Sequence, residues 1–331
     1  CIVVEYIESF YCFRVLRGMK NWRKMFQLGF FVLLSMTVCV SAHIRPYTPP
    51  DVKQVTDLFN QVFINQSFTY AFGEQNVWLH SSGLYANLIL DQTSGSGLVS
   101  RDKFHYGFFS AAIKLPSEIS SGVVVAFYLS NAETYPNNHD EIDIELLGHD
   151  KRNDWGFQTN VYINGSIHVG REEKFHLWFD PTLEYHQYSI IWNNNHVVFL
   201  VDNIPVREFV HRQEFLEVYP LKPMSVYATI WDGSDWATHG GKYPVNYTNA
   251  PFAVSLAKIE VSGSIMKPNG ADDQGITHQI PSVDPVNGQD FLSLSGDQVG
   301  ALDWARRKLL FYSYCDDKFR NEVMPPECLM V

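Results

Sequence analysis

Residues 139–148 read HDEIDIELLG, and acidic and apolar side chains alternate without interruption from Glu141 to Leu146. Because successive side chains of an extended chain point to opposite faces, the segment is predicted to be a β-strand with one acidic and one apolar face. The acidic face consists of Glu141, Asp143 and Glu145. The apolar face consists of Ile142, Ile144 and Leu146. Such a strand belongs in a sheet that packs on one side and is open on the other.

Three carboxylates on one face repel one another, and this repulsion raises the pKa of at least one of them. Carboxyl groups with perturbed pKa values in a cleft are suited to acid–base chemistry. Glycosidases use two such groups, one ionised as nucleophile or base and the other protonated as general acid. The acidic face therefore indicates a glycosidase, and a calcium site or a solvated edge strand is the alternative interpretation.

The spacing of Glu141 and Glu145 does not decide the stereochemistry. Their Cα atoms lie about 13 Å apart in an extended strand. A retaining pair needs about 5 Å between its carboxyl groups, so both side chains would have to lean inward. Retention and inversion are both compatible with the sequence.

Residues 19–42 have the three parts of a secretory signal, namely a basic start, an apolar run and a small-residue end. We expect Met19 to be the translation start, residues 1–18 to be upstream translation or an artefact, and cleavage after Ala42. A signal anchor is the alternative, but the apolar run contains Gln27 and is shorter than the roughly 20 residues of a membrane span. We therefore expect a secreted, extracellular protein that has no membrane contact after cleavage.

The formal net charge of the chain is -11 at pH 7, which argues against nucleic acid as a partner. Cys315 and Cys328 are an even pair after residue 42, and an oxidising compartment predicts a disulfide between them. This disulfide would contribute about 3 kcal/mol and would pin the C-terminal tail. Glycosylation sequons begin at Asn65, Asn164 and Asn246, as expected for the secretory route.

Short β-rich segments separated by turn signals predict an all-β sandwich of two antiparallel sheets. The predicted strands are 107–115, 123–130, 141–147, 157–163, 188–193, 197–202, 225–231 and 253–261. Asp202 and Asn203 predict a hairpin turn. We expect this sandwich domain to span residues 43–262, with the acidic face lining the concave side of one sheet.

Residues 263–331 are predicted to form a C-terminal extension. Its first part, to residue 288, is rich in Pro, Gly, Asn and Asp and is typical of a loop or linker. A helix follows, because Ser295 and Gln298 form a capping-box signature. Its partial apolar stripe, running through Tyr314, consists of Val299, Leu302 and Leu309. The basic run Arg306, Arg307 and Lys308 is either a solvated helix face or a contact with substrate or an acidic neighbour.

Aromatic and polar residues are interleaved in 227–238, YATIWDGSDWAT. Aromatic rings offer apolar area with a polar tip, so close to an acidic strand this segment favours a glycan groove. For any single Trp, core packing is the alternative.

Eight short motifs are spread along the chain. They are HDEIDIELLG (139–148), QTN (158–160), GRE (170–172), WFDPT (178–182), DNIPVR (202–207), WAT (236–238), YC (314–315) and PEC (326–328). With these motifs in this order, the sequence resembles the plant xyloglucan endotransglucosylase/hydrolases, within the family-16 glycoside hydrolases. The resemblance covers roughly residues 43–328.

The resemblance implies a concanavalin-like β-jelly-roll and a retaining double displacement on the β-1,4-glucan backbone of xyloglucan. By that resemblance Glu141 is the nucleophile, Glu145 is the general acid/base, and Asp143 hydrogen-bonds to the nucleophile. The implied substrate contacts are Tyr128, Gln158, Asn160, Arg171, Trp231, Asp235 and Trp236. A xyloglucan polymer would be the donor, and a xyloglucan chain, an oligosaccharide or water would be the acceptor, in the cell wall and apoplast.

Three functions are compatible with these residues. The first is a monomeric transglycosylase that remodels xyloglucan, and the second is a hydrolase on the same scaffold. The third is a lectin-like sandwich that binds glycans without cleaving them, but it predicts loss of an acid from the row, whereas Glu141 and Glu145 are both present. No cofactor or metal is expected, since the sequence contains no His-Glu-x-x-His pattern, phosphate loop or dinucleotide fingerprint. His139 is interpreted as a packing or hydrogen-bonding neighbour of the acids.

Overall fold

Strands dominate the chain, and the computed structural model contains fifteen of them in the part that it describes. The described residues are 47–165, 170–212, 214, 218–266, 285–320 and 324–330. The expected signal peptide at 19–42 and the preceding residues 1–18 lie outside this part. So do residues 267–284, which belong to the expected loop.

The secondary structure elements are as follows in chain order. The strands are β1 (Phe68–Phe72), β2 (Val77–Leu79), β3 (Ala86–Leu90), β4 (Ser96–Ser100), β5 (Phe104–Lys114), β6 (Val123–Ser130), β7 (Glu141–Gly148), β8 (Trp155–Tyr162), β9 (Glu173–Phe175), β10 (His186–Trp192), β11 (His196–Val201), β12 (Ile204–Val210), β13 (Ser225–Asp232), β14 (Phe252–Ile265) and β15 (Leu310–Ser313). The α-helices are α1 (Ile64–Ser67) and α2 (Gly296–Lys308). Short 3-10 helices lie at Thr56–Leu58, Glu74–Asn76, Tyr247–Asn249, Gln289–Phe291 and Pro326–Met330.

The strands form two antiparallel sheets, as predicted. One has the order β1-β4-β13-β6-β7-β8-β9-β15 and the other has the order β12-β11-β10-β5-β14-β3-β2. Every predicted strand is present, and each except β6 differs from the prediction at one or both ends. The strands that the sequence pattern did not predict are β1, β2, β3, β4, β9, β12 and β15. Most of these are too short to establish an alternating pattern.

The hydrophobic core lies between the two sheets and explains the position of β7. Ile142, Ile144 and Leu146 are fully buried there and share one cluster with residues of the opposite sheet such as Phe109 and Tyr188. Each such side chain contributes about 1.5–3 kcal/mol by leaving water. The apolar face of β7 therefore fixes which way its acidic face points.

Two turn regions were tested by the structure. Asp202 and Asn203 have φ angles of 48° and 64° and join β11 to β12, which confirms the predicted hairpin turn. The expected loop from residue 263 begins later than predicted. Strand β14 continues to Ile265, because Ser264 and Ile265 still pair with β5.

Helix α2 begins with the predicted capping box, since Ser295 and Gln298 satisfy each other's backbone N–H groups. The prediction that its stripe runs through Tyr314 was wrong, because the helix ends at Lys308 and β15 follows. The stripe itself was also partly wrong. Val299 is 52% exposed, and the buried residues are Ala301, Ala305 and Leu309. Small alanines let the helix approach the strand that carries Ile204.

The basic run at the end of α2 has mixed surroundings. Arg306 forms a bidentate pair with Glu173 at 2.8 and 3.1 Å, so contact with an acidic neighbour is confirmed for this residue. Arg307 pairs with Asp303 on the helix surface. Lys308 lies over the ring of Tyr47.

The C-terminal extension is also held covalently. The predicted disulfide joins Cys315 and Cys328 across a sequence separation of 13 residues. No helix within the described ranges has both the length and the apolar character that a bilayer span requires.

Candidate active site

The acidic face of β7 lies near the middle of the eight-stranded sheet, on the side opposite the core. Glu141 and Glu145 are partly exposed, whereas Asp143, between them, is 5% exposed. Strand β6 flanks β7 on one side and β8 on the other. The alternation of the sequence therefore produces a row of three carboxyl groups on the open face, as predicted.

The general acid candidate in this row is Glu145. Burial raises the pKa of Glu145 to about 7, and the negative charge of Glu141 acts in the same direction. Gln158 opposes the shift, because its Nε2 donates a hydrogen bond to Oε2 of Glu145. The residue is thus placed to hold a proton close to neutral pH and to release it there.

Glu141 differs from Glu145 in its neighbours. Burial also raises the pKa of Glu141, but hydrogen bonds from Ser130 and Asp143 and the charge of His139 favour its ionised form. Burial raises the pKa of Asp143 well above its usual range, and the charges of Glu141 and Glu145 reinforce this shift. Of this hydrogen-bonded pair, Asp143 therefore holds a proton more readily and Glu141 is the more readily ionised member.

A line of paired residues crosses the whole sheet through Glu145, and we call it the cross-strand row. Each member is directly opposite the next in the strand register. Its members are Phe72, Gly97, Thr229, Ala126, Glu145, Gln158, Lys174 and Tyr312. Since side chains at paired positions share a face, this row crosses the open face of the sheet, and we call this face the cleft.

Aromatic rings line the same face of the sheet. Tyr128 pairs with Tyr227 in the register and stacks on it, with ring centroids 4.8 Å apart and an angle of 11° between the planes. Trp231 lies 6.0 Å from Trp236, centroid to centroid. This face therefore carries aromatic rings beside carboxyl groups. The rings match the apolar faces of a sugar, and the polar groups match its hydroxyl groups.

Comparison with known proteins agrees with this geometry. The family profile of the glycosyl hydrolases of family 16 matches residues 64–249, and the xyloglucan endo-transglycosylase C-terminus profile matches residues 286–328. "Probable xyloglucan endotransglucosylase/hydrolase protein 27" of Arabidopsis thaliana is 46% identical over 268 residues, which are 80% of this chain and 78% of that protein. The chain belongs to the xyloglucan endotransglucosylase/hydrolase family.

A second relative and a solved structure are also similar to this chain. "Probable xyloglucan endotransglucosylase/hydrolase protein 28", also of Arabidopsis thaliana, is 44% identical over 80% of this chain and 79% of its own length. Among solved structures, a Crh5 transglycosylase in complex with NAG is similar with a TM-score of 0.51 and 18% identity, over 66% of this chain and 88% of that one. This last likeness concerns the fold alone and agrees with the predicted jelly-roll.

Several residues that the family resemblance had suggested as substrate contacts lie at the cleft. Tyr128 and Asn160 are directly opposite Asp143 on its two flanking strands, and Gln158 contacts Glu145. Asn160 is 2% exposed, and its Oδ1 accepts the backbone N–H of Arg171 at 2.8 Å. It therefore also fixes the backbone beside the row.

Arg171 and Asp235 are placed differently from the other predicted contacts. The Arg171 side chain is buried and pairs with Glu327 of the C-terminal extension. Asp235 is exposed in the segment after β13, next to Trp236. The structure thus joins Arg171 to the extension, and the roles of Arg171 and Asp235 as substrate contacts stay predictions.

His139 and the sequon residues were also located. The Nδ1 atom of His139 is buried and has no hydrogen-bond partner among the described residues, and its ring centroid is 6.1 Å from that of Tyr162. Asn65, Asn164 and Asn246 are all exposed. Their glycosylation stays a prediction.

Two residues on the cleft face, Tyr162 and Lys174, were not predicted from the sequence. Tyr162 is opposite Glu141 and continues the alternation of Gln158 and Asn160, so its position was available from the pattern. Lys174 is in the three-residue strand β9, whose length gives no period. Only the pairing of β9 with β8 reveals that it shares a face with Glu145.

Proposed function

We propose that this chain is a secreted cell-wall enzyme that cleaves the β-1,4-glucan backbone of xyloglucan and transfers the fragment to a xyloglucan acceptor. The observation that carries the proposal is the row of Glu141, Asp143 and Glu145 on the open face of β7, with two differently tuned glutamates. The names of the relatives supply the polysaccharide class.

The first chemical step uses both glutamates. The Glu141 carboxylate attacks the anomeric carbon, the bond from that carbon to the glycosidic oxygen breaks, and Glu145 gives its proton to this oxygen. A covalent glycosyl ester on Glu141 results, and the leaving chain departs as an alcohol. The raised pKa of Asp143 favours its neutral form, which would reduce the negative charge around the nucleophile.

The second step reverses these roles. An acceptor hydroxyl gives its proton to Glu145 and attacks the same carbon, and the bond to Glu141 breaks. Two displacements retain the anomeric configuration. Transfer to a sugar and transfer to water differ only in which hydroxyl reaches the ester, so hydrolysis is the alternative outcome on this site.

The proposal extends to substrate contacts and cellular location. The residues that would contact the glucan chain are Tyr128, Gln158, Asn160, Arg171, Trp231, Asp235 and Trp236. The placement of Tyr128, Gln158 and Trp231 on the cleft face supports this role. The sequence signal at 19–42 and the exposed sequons support secretion to the apoplast. We further propose a monomer with a sandwich domain at 43–262 and a C-terminal extension at 263–331.

Activity can be tested on the purified mature protein with xyloglucan, with and without a fluorescent xyloglucan oligosaccharide. Labelled polymer without net new reducing ends is the expected result. Shortened polymer with new reducing ends and no label would identify a hydrolase. Neither change, under conditions in which the protein is folded, would overturn the proposal.

The assignment of the nucleophile is tested by Glu141→Gln. This variant should lose glycan turnover by a factor on the order of 10⁴ or more, since no ester can form. Asp143→Asn should lose less, because it changes orientation and charge but leaves the nucleophile. Glu184→Gln, at an exposed acid on a turn, is the matched control and should keep full activity. Full activity of Glu141→Gln, with an unchanged circular dichroism spectrum, would refute the role.

A further inference from the structure

Three side chains of types that can bind a metal ion lie close together beside the cleft. The proposed reaction does not use them. His149 and Asp150 follow directly after β7, and His239 lies in the turn-rich segment after β13. His149 lies two positions beyond Leu147, on the face that carries Glu145. The cluster therefore lies at the β7 end of the same cleft, about 13 Å along the strand from Glu145.

The geometry of the cluster suits one ion. One ligand atom from each of the three residues can be chosen so that all lie within 4.8 Å of one another. Nε2 of His239 is 3.9 Å from Oδ1 of Asp150. The two imidazole rings are 5.9 Å apart, centroid to centroid, at an angle of 74°. Small side-chain rotations would bring the three atoms to bonding distance of a common ion, about 2.0–2.2 Å from each.

The backbone around the cluster is held by buried hydrogen bonds. Oγ1 of Thr238 donates to the carbonyl of Gly148 and accepts the N–H of Gly122, each at 2.7 Å. These bonds fix the residues immediately before His239 and His149 relative to each other. The ring of His239 also contacts Tyr243, with centroids 5.5 Å apart. The hydrogen bonds of Thr238 to the backbone thus hold His239 close to His149 and Asp150.

Gly156 makes room for the first of these imidazoles. A Cβ atom at Gly156 would lie 3.0 Å from Nε2 of His149, closer than ordinary van der Waals contact. The ring of His149 therefore packs against bare backbone of β8. Among the described residues, no hydrogen bond ties His149, Asp150 or His239 through its side chain to any other group.

We propose that His149, Asp150 and His239 form a binding site for a divalent transition ion of the Zn²⁺ class. Two imidazoles with one carboxylate suit Zn²⁺, Cu²⁺ or Ni²⁺, whereas Ca²⁺ and Mg²⁺ prefer sites built from oxygen. Three protein ligands leave a fourth tetrahedral position for water or another oxygen ligand. This site is separate from the acid row and does not depend on the proposed reaction.

Such an ion would connect two parts of the cleft wall. It would link the end of β7 to the segment that carries Asp235 and Trp236. Because the ion binds the folded chain and not the dispersed ligands of the unfolded chain, it should stabilise the protein. A saturating concentration should raise the Tm by about 5 °C for a chain of this size.

The test is calorimetric titration of the tag-free protein with Zn²⁺, together with thermal unfolding with and without Zn²⁺. The wild-type chain should bind one ion at this site and show the rise in Tm. His239→Ala and Asp150→Asn change exposed side chains, so both variants should fold and keep the ion-free Tm. Each should weaken Zn²⁺ binding by at least about tenfold, because even outer-shell partners of metal ligands matter by 10–100-fold.

The matched control is His80→Ala, which removes an exposed histidine outside the cluster. It should bind Zn²⁺ and gain Tm as the wild type does. Ca²⁺ should give no rise in Tm that depends on His239. The proposal is overturned if Zn²⁺ does not bind the wild type, or if both cluster variants bind it as tightly as the wild type.

Discussion

Glu141 and Glu145 are identical side chains on one strand, yet their surroundings separate their chemistry. Both are desolvated, but Glu141 has Ser130, Asp143 and the charge of His139 to support its ionised form. Glu145 has Gln158 as its one hydrogen-bonding support and lies close to the charge of Glu141. The environment, rather than the residue type, thus suits one group to the proposed role of nucleophile and the other to the proposed role of acid.

The pH dependence of activity follows from the pKa of Glu145. Since the first step needs its proton, kcat/KM should fall as pH rises through about 7. Gln158→Leu removes the hydrogen bond that favours the ionised form, so the pKa of Glu145 should rise. The basic limb of the pH profile should move up by about one pH unit, since a hydrogen bond to a charged group contributes about 1.5 kcal/mol.

The acidic limb of the same profile is an internal control for Gln158→Leu. It reports the ionisation of Glu141, which Gln158 does not contact, and it should move less than the basic limb. A loss of rate at every pH with no movement of either limb would mean that Gln158 acts only through substrate contact.

At the scale of elements, the C-terminal extension is joined to the sandwich by a buried ionic network. Glu173 of β9 accepts hydrogen bonds from Arg306 of α2 and from Ser313 of β15, and Arg207 of β12 lies 3.6 Å away. The side chain of Glu173 is 6% exposed. One carboxylate on β9 therefore joins helix α2, strand β15 of the same sheet and strand β12 of the other sheet.

Removing that carboxylate should be costly. Glu173→Gln leaves two buried or half-buried cations without their counter-charge and should lower the free energy of unfolding by about 3–5 kcal/mol. The adjacent Glu172→Gln breaks a more exposed pair with Arg320 and should cost about 1 kcal/mol or less. Urea unfolding of both variants measures the difference. Equal costs would mean that the network at Glu173 does not hold the extension.

The same network predicts the sign of a pH effect on stability. Burial would raise the pKa of Glu173, but Arg207 and Arg306 hold it below its usual value. A carboxyl with a lowered folded pKa stabilises fully above its unfolded pKa and loses this contribution as pH falls through the folded value. The stability difference between wild type and Glu173→Gln should therefore be constant at neutral pH and shrink below about pH 4.3.

The elements also show what could be predicted from the sequence. Strand β7 was predictable because six residues, 141–146, alternate between acid and core, and burial of one face fixes its orientation. Strands β9 and β15 were not, because they have three and four residues and their pairing joins segments far apart in the chain. The candidate catalytic acids were therefore predicted from a local pattern, whereas Lys174, Tyr312 and the histidine cluster depend on tertiary contacts.

At the scale of the whole molecule, the cross-strand row shows that the cleft runs across all eight strands of its sheet. Eight strands at roughly 4.8 Å spacing give it a length of about 34 Å. Glu145 lies inside it, with β8, β9 and β15 on one side. Tyr312 of β15 is then about 14 Å from Glu145 across three strand spacings. The extension thus lengthens the face on which a polysaccharide chain can lie.

This length predicts that Tyr312 matters for long substrates alone. Tyr312 is half-buried, with Nζ of Lys174 5.4 Å from its ring centroid. Tyr312→Ala should raise KM about fivefold for long xyloglucan chains, since one aromatic contact contributes about 1 kcal/mol. Short oligosaccharides that end before β15 should keep their KM. Trp78→Ala, which removes a 61% exposed ring on the other sheet, is the control and should change neither value. An equal rise for short and long substrates would place the effect of Tyr312 at the acid row instead, because only a chain that spans the cleft can reach β15.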